Sequence, residues 1–133
     1  MTLREATCAC GQLSAACAGE PAFVSLCNCT QCQRRTGSAF GVAAFYPAAA
    51  VTLSGEAAAY TRGSDSGYTV SFRFCPRCGT SVYWYPERKP EVIAVALGCF
   101  ADPAFPPPVQ SVHEDHRAPW LRFSFEETSR DGG

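Results

Sequence analysis

Seven of the nine cysteines in this 133-residue chain fall into three tight clusters: Cys8-Ala9-Cys10-Gly11, Cys27-Asn28-Cys29-Thr30-Gln31-Cys32 and Cys75-Pro76-Arg77-Cys78-Gly79. Thiols spaced Cys-x-Cys or Cys-x-x-Cys suit a metal chelate. A disulfide framework would link distant segments instead. The two pairs together make one complete four-thiolate zinc site, whereas the triplet makes a second site that is one ligand short. A closed site holds a fold; an incomplete one can accept water or a substrate.

The pairs share a local logic. Each sets two thiolates on a tight turn and follows them with glycine, Gly11 or Gly79, which tolerates the positive φ needed to turn the chain back so that backbone N–H groups point at the sulfurs. The expected structural zinc on Cys8, Cys10, Cys75 and Cys78 would pin the N-terminal segment to the middle of the chain. Cys27, Cys29 and Cys32 have no following glycine and run into Gln33-Arg34-Arg35-Thr36-Gly37-Ser38. Three thiolates against a dication leave a negative centre, a weak Lewis acid well suited to holding an added thiol as thiolate. Arg34 and Arg35 can offset that charge or hold a substrate carboxylate, and Asn28 can donate a hydrogen bond beside the ligands. The alternative is a second structural zinc whose fourth ligand is Cys17, Cys99, His113 or His116. Cys17 and Cys99 sit among small or apolar residues and read as buried hydrophobes.

Hydrophobic residues make up 47% of the chain and charged residues 17%, with a net charge of −1. A packed core is feasible, and no basic footprint for nucleic acid is present. The start of the chain shows no apolar leader segment, and the longest apolar run, Val92–Leu97, is too short to span a bilayer. The expectation is a cytoplasmic protein with reduced thiols and no membrane partner. Residues 1–125 are expected to form a single zinc-binding β domain and residues 126–133 a flexible tail.

Short alternating runs point to strands: Gln12–Ala18, Phe40–Tyr46, Val51–Leu53, Ala57–Thr61, Tyr68–Phe74, Ser81–Tyr85 and Val92–Leu97. Ser54-Gly55-Glu56 reads as a hairpin turn between two of them. Pro103, Pro106, Pro107 and Pro108 exclude regular structure until about Val109, and a helical turn is expected within Ser111–Leu121.

These motifs, together with Arg35-Thr36-Gly37-Ser38-Ala39-Phe40 and Ala101-Asp102-Pro103…His113…Ala118-Pro119-Trp120, resemble the glutathione-dependent formaldehyde-activating enzyme family from about residue 4 to 121. The resemblance implies a mainly β, Mss4-like fold of stacked antiparallel β-sheets. It also implies a structural zinc on Cys8, Cys10, Cys75 and Cys78, and a catalytic zinc on Cys27, Cys29 and Cys32. The implied activity is carbon–sulfur lyase chemistry, in which glutathione and formaldehyde join as S-hydroxymethylglutathione. Asn28 departs from the histidine often found there, and Cys99 from a hydroxyl or apolar residue.

The expected function is therefore an enzyme in which a small thiol held at the Cys27/Cys29/Cys32 zinc adds to a small aldehyde. Two zinc ions per chain are expected. His113 and His116 are candidate proton carriers, Glu114 and Asp115 read as solvent-facing charges, and Tyr83, Trp84, Tyr85 and Phe40 are candidate pocket walls. A non-enzymatic module with two structural zincs is the alternative, and a thiol redox enzyme using Cys99 or Cys17 a third reading.

Overall fold

Strand registers and side-chain alternation place both cysteine sites. The computed structural model describes residues 2–64, 67–125 and 128–130. Its strands are β1 (Leu3–Thr7), β2 (Ser14–Ala18), β3 (Phe23–Cys27), β4 (Gly41–Pro47), β5 (Val51–Ser54), β6 (Ala58–Gly63), β7 (Thr69–Phe74), β8 (Ser81–Pro86), β9 (Val92–Ala96), β10 (Gln110–Val112) and β11 (Thr128–Arg130). One α-helix, α1 (Thr30–Thr36), follows β3. A small sheet has the order β1-β2-β5, and a larger one runs β11-β10-β3-β4-β9-β8-β7-β6. Pairing is antiparallel except at one edge, where β10 lies parallel to both β3 and β11. The mainly β expectation holds, with that edge making the larger sheet mixed.

The core lies between the sheets. Ala6, Leu13, Ala15 and Cys17 from the small sheet side meet Val24, Ala44, Tyr46, Val82, Ile93 and Val95 from the large one, and Phe100 and Phe105 join the same cluster. On β3, β4 and β9 these are alternate residues, so their neighbours Phe23, Ser25, Cys27, Ala43, Phe45 and Ala94 point to the opposite face of the large sheet. That far face carries a second, smaller cluster of Ala43, Phe72, Trp84 and Ala94. Cys17 is fully buried, as expected of a small hydrophobe.

Several local expectations change. β5 and β6 flank Ser54-Gly55-Glu56 but do not form a hairpin: β5 pairs with β2, and β6 with β7. The segment is a crossover between sheets, held by Gln12, whose side-chain amide donates to Glu56 O at 2.7 Å and accepts from Glu56 N–H at 2.9 Å. The amide thus takes the place of a strand neighbour. β1, β3, β10 and α1 lie outside the strands read from sequence, although Val24 and Leu26 alternate clearly in β3. The proline-rich stretch ends where β10 begins, and the expected helical turn is a 3-10 turn at Glu114–His116. The expected tail falls mostly outside the described residues, at 126, 127 and 131–133; between them Thr128–Arg130 runs as β11. No helix among the described residues is long and apolar enough to cross a membrane.

Gly55 has φ +95°, and a Cβ there would lie 1.9 Å from the Gln12 carbonyl oxygen. Gly55→Ala is expected to destabilise the chain by about 1–3 kcal/mol through backbone strain and the displaced contact. A lowered urea midpoint at unchanged slope would show it.

Candidate metal and catalytic centre

The two cysteine pairs are the tips of two hairpins, one from each sheet. Cys8 directly follows β1, and its N–H bonds Leu13 O at 2.9 Å while Gly11 N–H returns to Cys8 O at 3.0 Å. Cys75 directly follows β7, its N–H bonds Thr80 O at 2.9 Å and Gly79 N–H returns to Cys75 O at 2.8 Å. Gly11 and Gly79 have φ of +87° and +81°, the left-handed conformation expected of the turns. The four sulfurs lie within 4.8 Å of one another.

The Cys10 sulfur is 3.6 Å from both Cys8 and Cys75. A tetrahedral zinc with bonds near 2.3 Å would set sulfurs about 3.8 Å apart, so the donor set fits that ion. Leu13 N–H reaches the Cys8 sulfur at 3.3 Å, Arg77 N–H the Cys75 sulfur at 3.4 Å, and Gln12 Nε2 the Cys75 sulfur at 3.0 Å. The Thr80 hydroxyl and N–H, with the N–H of Cys10, push the Cys78 thiol down to about 5, so it offers a thiolate at neutral pH.

The triplet is built differently. Cys27 ends β3, Cys29 caps α1 and Cys32 lies in the helix's first turn. The Cys29 sulfur accepts from Cys32 N–H at 3.3 Å, and Gly37, at φ 66°, closes the helix. These three sulfurs also lie within 4.8 Å of one another, and no His, Cys, Asp or Glu among the described residues joins them. Cys17, Cys99, His113 and His116 are therefore not brought in as a fourth ligand. Hydrogen bonds from the Cys27 and Cys32 thiols, reinforced by the N–H groups of Cys32 and Gln31, hold the Cys29 thiol far below its ordinary value. Cys27, which donates to Cys29 and Cys32 and is half-buried, is held far above. Such a cluster keeps one proton-poor sulfur ready and gives up its remaining protons when a cation replaces them.

Asn28, between two of the thiols, is fully buried. Its Nδ2 donates to Ser111 Oγ and Val112 O, each at 2.9 Å, and to Glu114 Oε2 at 3.3 Å. Ser111 also donates to Glu114, and Arg117 Nη1 bonds Glu114 Oε1 at 2.8 Å. Glu114 is thus not the solvent-facing charge read from sequence. It anchors the cysteine loop to the turn after β10. Burial raises its pKa, but the Ser111, Arg117 and Asn28 contacts outweigh this and lower it. Asp115 does face solvent and meets His116 at 3.5 Å.

Arg34 is exposed on the last turn of α1, whereas Arg35 is half-buried. The Arg35 guanidinium sits 4.3 Å from the Trp84 ring centre and 5.6 Å from that of Phe72. Cys27, Cys32, Arg35, Trp84 and His113 border one cavity of about 500 Å³. A second, of about 510 Å³, is bordered by Gln31, Arg34, Arg35, Arg62 and Tyr60. Arg35 separates the two.

Of the expected aromatic walls, Trp84 alone borders the cavity that reaches the thiols. Tyr83, its neighbour on the strand, faces the core between the sheets, Tyr85 is exposed, and Phe40 lines a third depression beside Cys99. Gln12, Ser111 and Gly41 gave no signal in the sequence, because their roles rest on partners remote in the chain.

The chain matches the family described as glutathione-dependent formaldehyde-activating enzyme over residues 3–116. It belongs to this family. A crystal structure of a Rhodobacter sphaeroides protein is similar with a TM-score of 0.57 at 21% identity, covering 77% of this chain and 91% of that one. At that identity the likeness is one of fold. No curated protein matches the chain. In this member of the glutathione-dependent formaldehyde-activating enzyme family, both thiol clusters are able to hold a metal ion.

Gln12→Leu removes the donor to Cys75 and both bonds to Glu56. It is expected to weaken retention of a metal ion loaded at the paired cysteines by roughly 10–100-fold in chelator competition. Glu114 contributes through a lowered folded-state pKa. Its stabilisation is complete above the ordinary carboxylate range and is lost as the pH falls through the lowered value. Glu114→Gln should therefore be less stable than wild type at pH 7, with the gap narrowing on acidification in denaturant titrations.

Proposed function

We propose that this chain is a zinc-dependent carbon–sulfur lyase-type enzyme that joins a small thiol such as glutathione to a small aldehyde at Cys27, Cys29 and Cys32. The observation that carries the reading is the three-thiol cluster, which lacks a fourth protein donor among the described residues and opens onto a cavity. A non-enzymatic module with two closed zinc sites would need that fourth donor. Family membership supports the same reading.

In this proposal the pairs Cys8/Cys10 and Cys75/Cys78 hold a structural zinc, and the triplet holds a second ion. Zinc held there would supply the positive charge that lowers the pKa of an incoming thiol towards neutral pH. The protein's own groups do the rest. The sulfur attacks the carbonyl carbon, a carbon–sulfur bond forms, the C=O π pair moves onto oxygen, and that oxygen takes a proton. No oxidant is needed. Arg35, held against Trp84 beside the thiols, faces the negative centre and stabilises charge as it develops on the carbonyl oxygen. His113 borders the cavity, which supports it as the imidazole that delivers the proton. Arg34 and Arg62, on the far side of Arg35, offer guanidinium groups to the carboxylates of a glutathione-like thiol. The nine cysteines are all free, which suits the reducing cytoplasm.

The redox reading loses support. Burial pushes the thiols of both Cys17 and Cys99 up to about 11, away from the nucleophilic thiolate.

The test is the exchange between formaldehyde, glutathione and their adduct, followed by NMR on metal-loaded protein. Wild type should accelerate exchange over the spontaneous rate. Arg35→Met should cut the acceleration roughly 100-fold with metal content retained, and Cys29→Ser should lose one metal ion together with the acceleration. Exchange at the spontaneous rate by fully loaded wild type would sink the proposal.

A further inference from the structure

The cavity at the thiols is far larger than formaldehyde requires, and the sheet register shows how it is built. Cross-strand partners in register share a face of the sheet. On the face away from the main core, β3 and β4 pair Cys27 with Gly41, Ser25 with Ala43 and Phe23 with Phe45. Moving from the thiol end, the face thus passes from Gly41 over a floor of Ser25 and Ala43 to two aromatic rings. Those rings stack at 4.4 Å between centres with 10° between planes. In the same row Ala94, fully buried, stands in register with both Phe45 and Trp84, and these two aromatic residues border the cavity. The result is a trough of about 500 Å³, open at one end onto Cys27 and Cys32. Along β3 it extends about 13 Å at the ordinary strand rise.

The thiol end is shaped around a cation. A Cβ on Gly41 would lie 2.8 Å from Arg35 Nη2, so glycine is what admits the guanidinium over the trough's head. Formaldehyde in this trough would leave water against two aromatic walls, an unfavourable use of apolar surface. The depression on the other side of Arg35 offers Arg34 and Arg62 to a charged thiol, while the trough sets its own exposed cations, Arg88 and Lys89, beside an apolar lining of Phe23, Phe45, Val70 and Trp84.

We propose that the trough binds the body of the carbonyl substrate, and that this substrate is an aromatic or comparably flat apolar aldehyde rather than formaldehyde alone. The inference rests on the thiol–aldehyde reading above. The ring lies over Ala43 and Ser25, bordered by Phe45 and with Trp84 beyond it, and the carbonyl carbon points to the Cys27/Cys32 end beneath Arg35. The size of the body, and not the reacting group, is what the trough selects.

The test uses a probe that cannot react, so it reports the trough independently of thiol chemistry. 4-Methylbenzyl alcohol is titrated into metal-loaded, 15N-labelled protein while the two indole N–H resonances are followed. Trp84 lines the trough, whereas Trp120, 72% exposed, serves as the internal control. A saturable shift of the Trp84 resonance alone is expected. Ala43→Val fills the floor and should weaken the binding by roughly tenfold or more, with metal content unchanged. Ser25→Val, across the floor, provides a second filling variant should the first fold poorly. The proposal is overturned if Trp84 shows no saturable shift, if neither filling variant weakens binding, or if the Trp84 signal changes with protein concentration alone because a second copy covers the trough. Failure of glutathione–formaldehyde exchange with the Trp84 shift intact would instead count against the chemistry.

Discussion

The meeting of four sulfurs at the tips of two hairpins is the constraint on which the rest depends. β1–β2 belongs to the small sheet and β7–β8 to the large one, so a cation at Cys8, Cys10, Cys75 and Cys78 clamps the layers at the same end as the hairpin turns. Hydrophobic burial between the sheets is non-directional and does not by itself choose their relative position. A tetrahedral thiolate site does, because its bonds are short and directional. Gln12 extends the clamp by bonding Cys75 and the crossover at Glu56 with one amide.

With the sheets in place, alternation divides the labour of the large one. Val24, Ala44, Ile93 and Val95 face the small sheet and supply cohesion. The residues between them face the other way and are free to form a site. Cys27 is on that free face, at a strand end, where α1 brings Cys29 and Cys32 alongside it. The triplet therefore borders the core without being part of it. Asn28 is the exception, since its side chain enters the interior and is held by Ser111, Val112 and Glu114. One buried amide thus connects the loop that carries the thiols to the turn that carries His113.

The strands with clean alternation, such as Tyr68–Phe74, were legible in the chain, and so were both thiol clusters and the positive-φ glycines behind the pairs. The supposed hairpin at Ser54-Gly55-Glu56 was not, because a turn motif states that the chain bends and not which strand it will pair with. Glu114 looked like a surface charge because Asn28, which draws it inward, comes from the cysteine loop after β3, far away in the chain. Tyr83, Trp84 and Tyr85 looked equivalent, but strand alternation and their neighbours send them to the core, the cavity and the surface. α1 was hidden by an unusual cap, a cysteine in place of the hydroxyl or carboxamide that marks most helix starts.

The sequence by itself determined the thiol clusters and their division into a tetrad from two pairs and a separate triplet, because close cysteine spacing and the glycines are local properties of the chain. It also determined the mainly β character, through short alternating runs. Only the tertiary structure decided what stands beside the triplet. The absence of a fourth donor among the described residues, the placement of Arg35 on Trp84, and the trough over Ser25 and Ala43 all arise from residues on different strands. They share one face of a sheet because of its register, and register is set by packing across the whole domain rather than by any one segment.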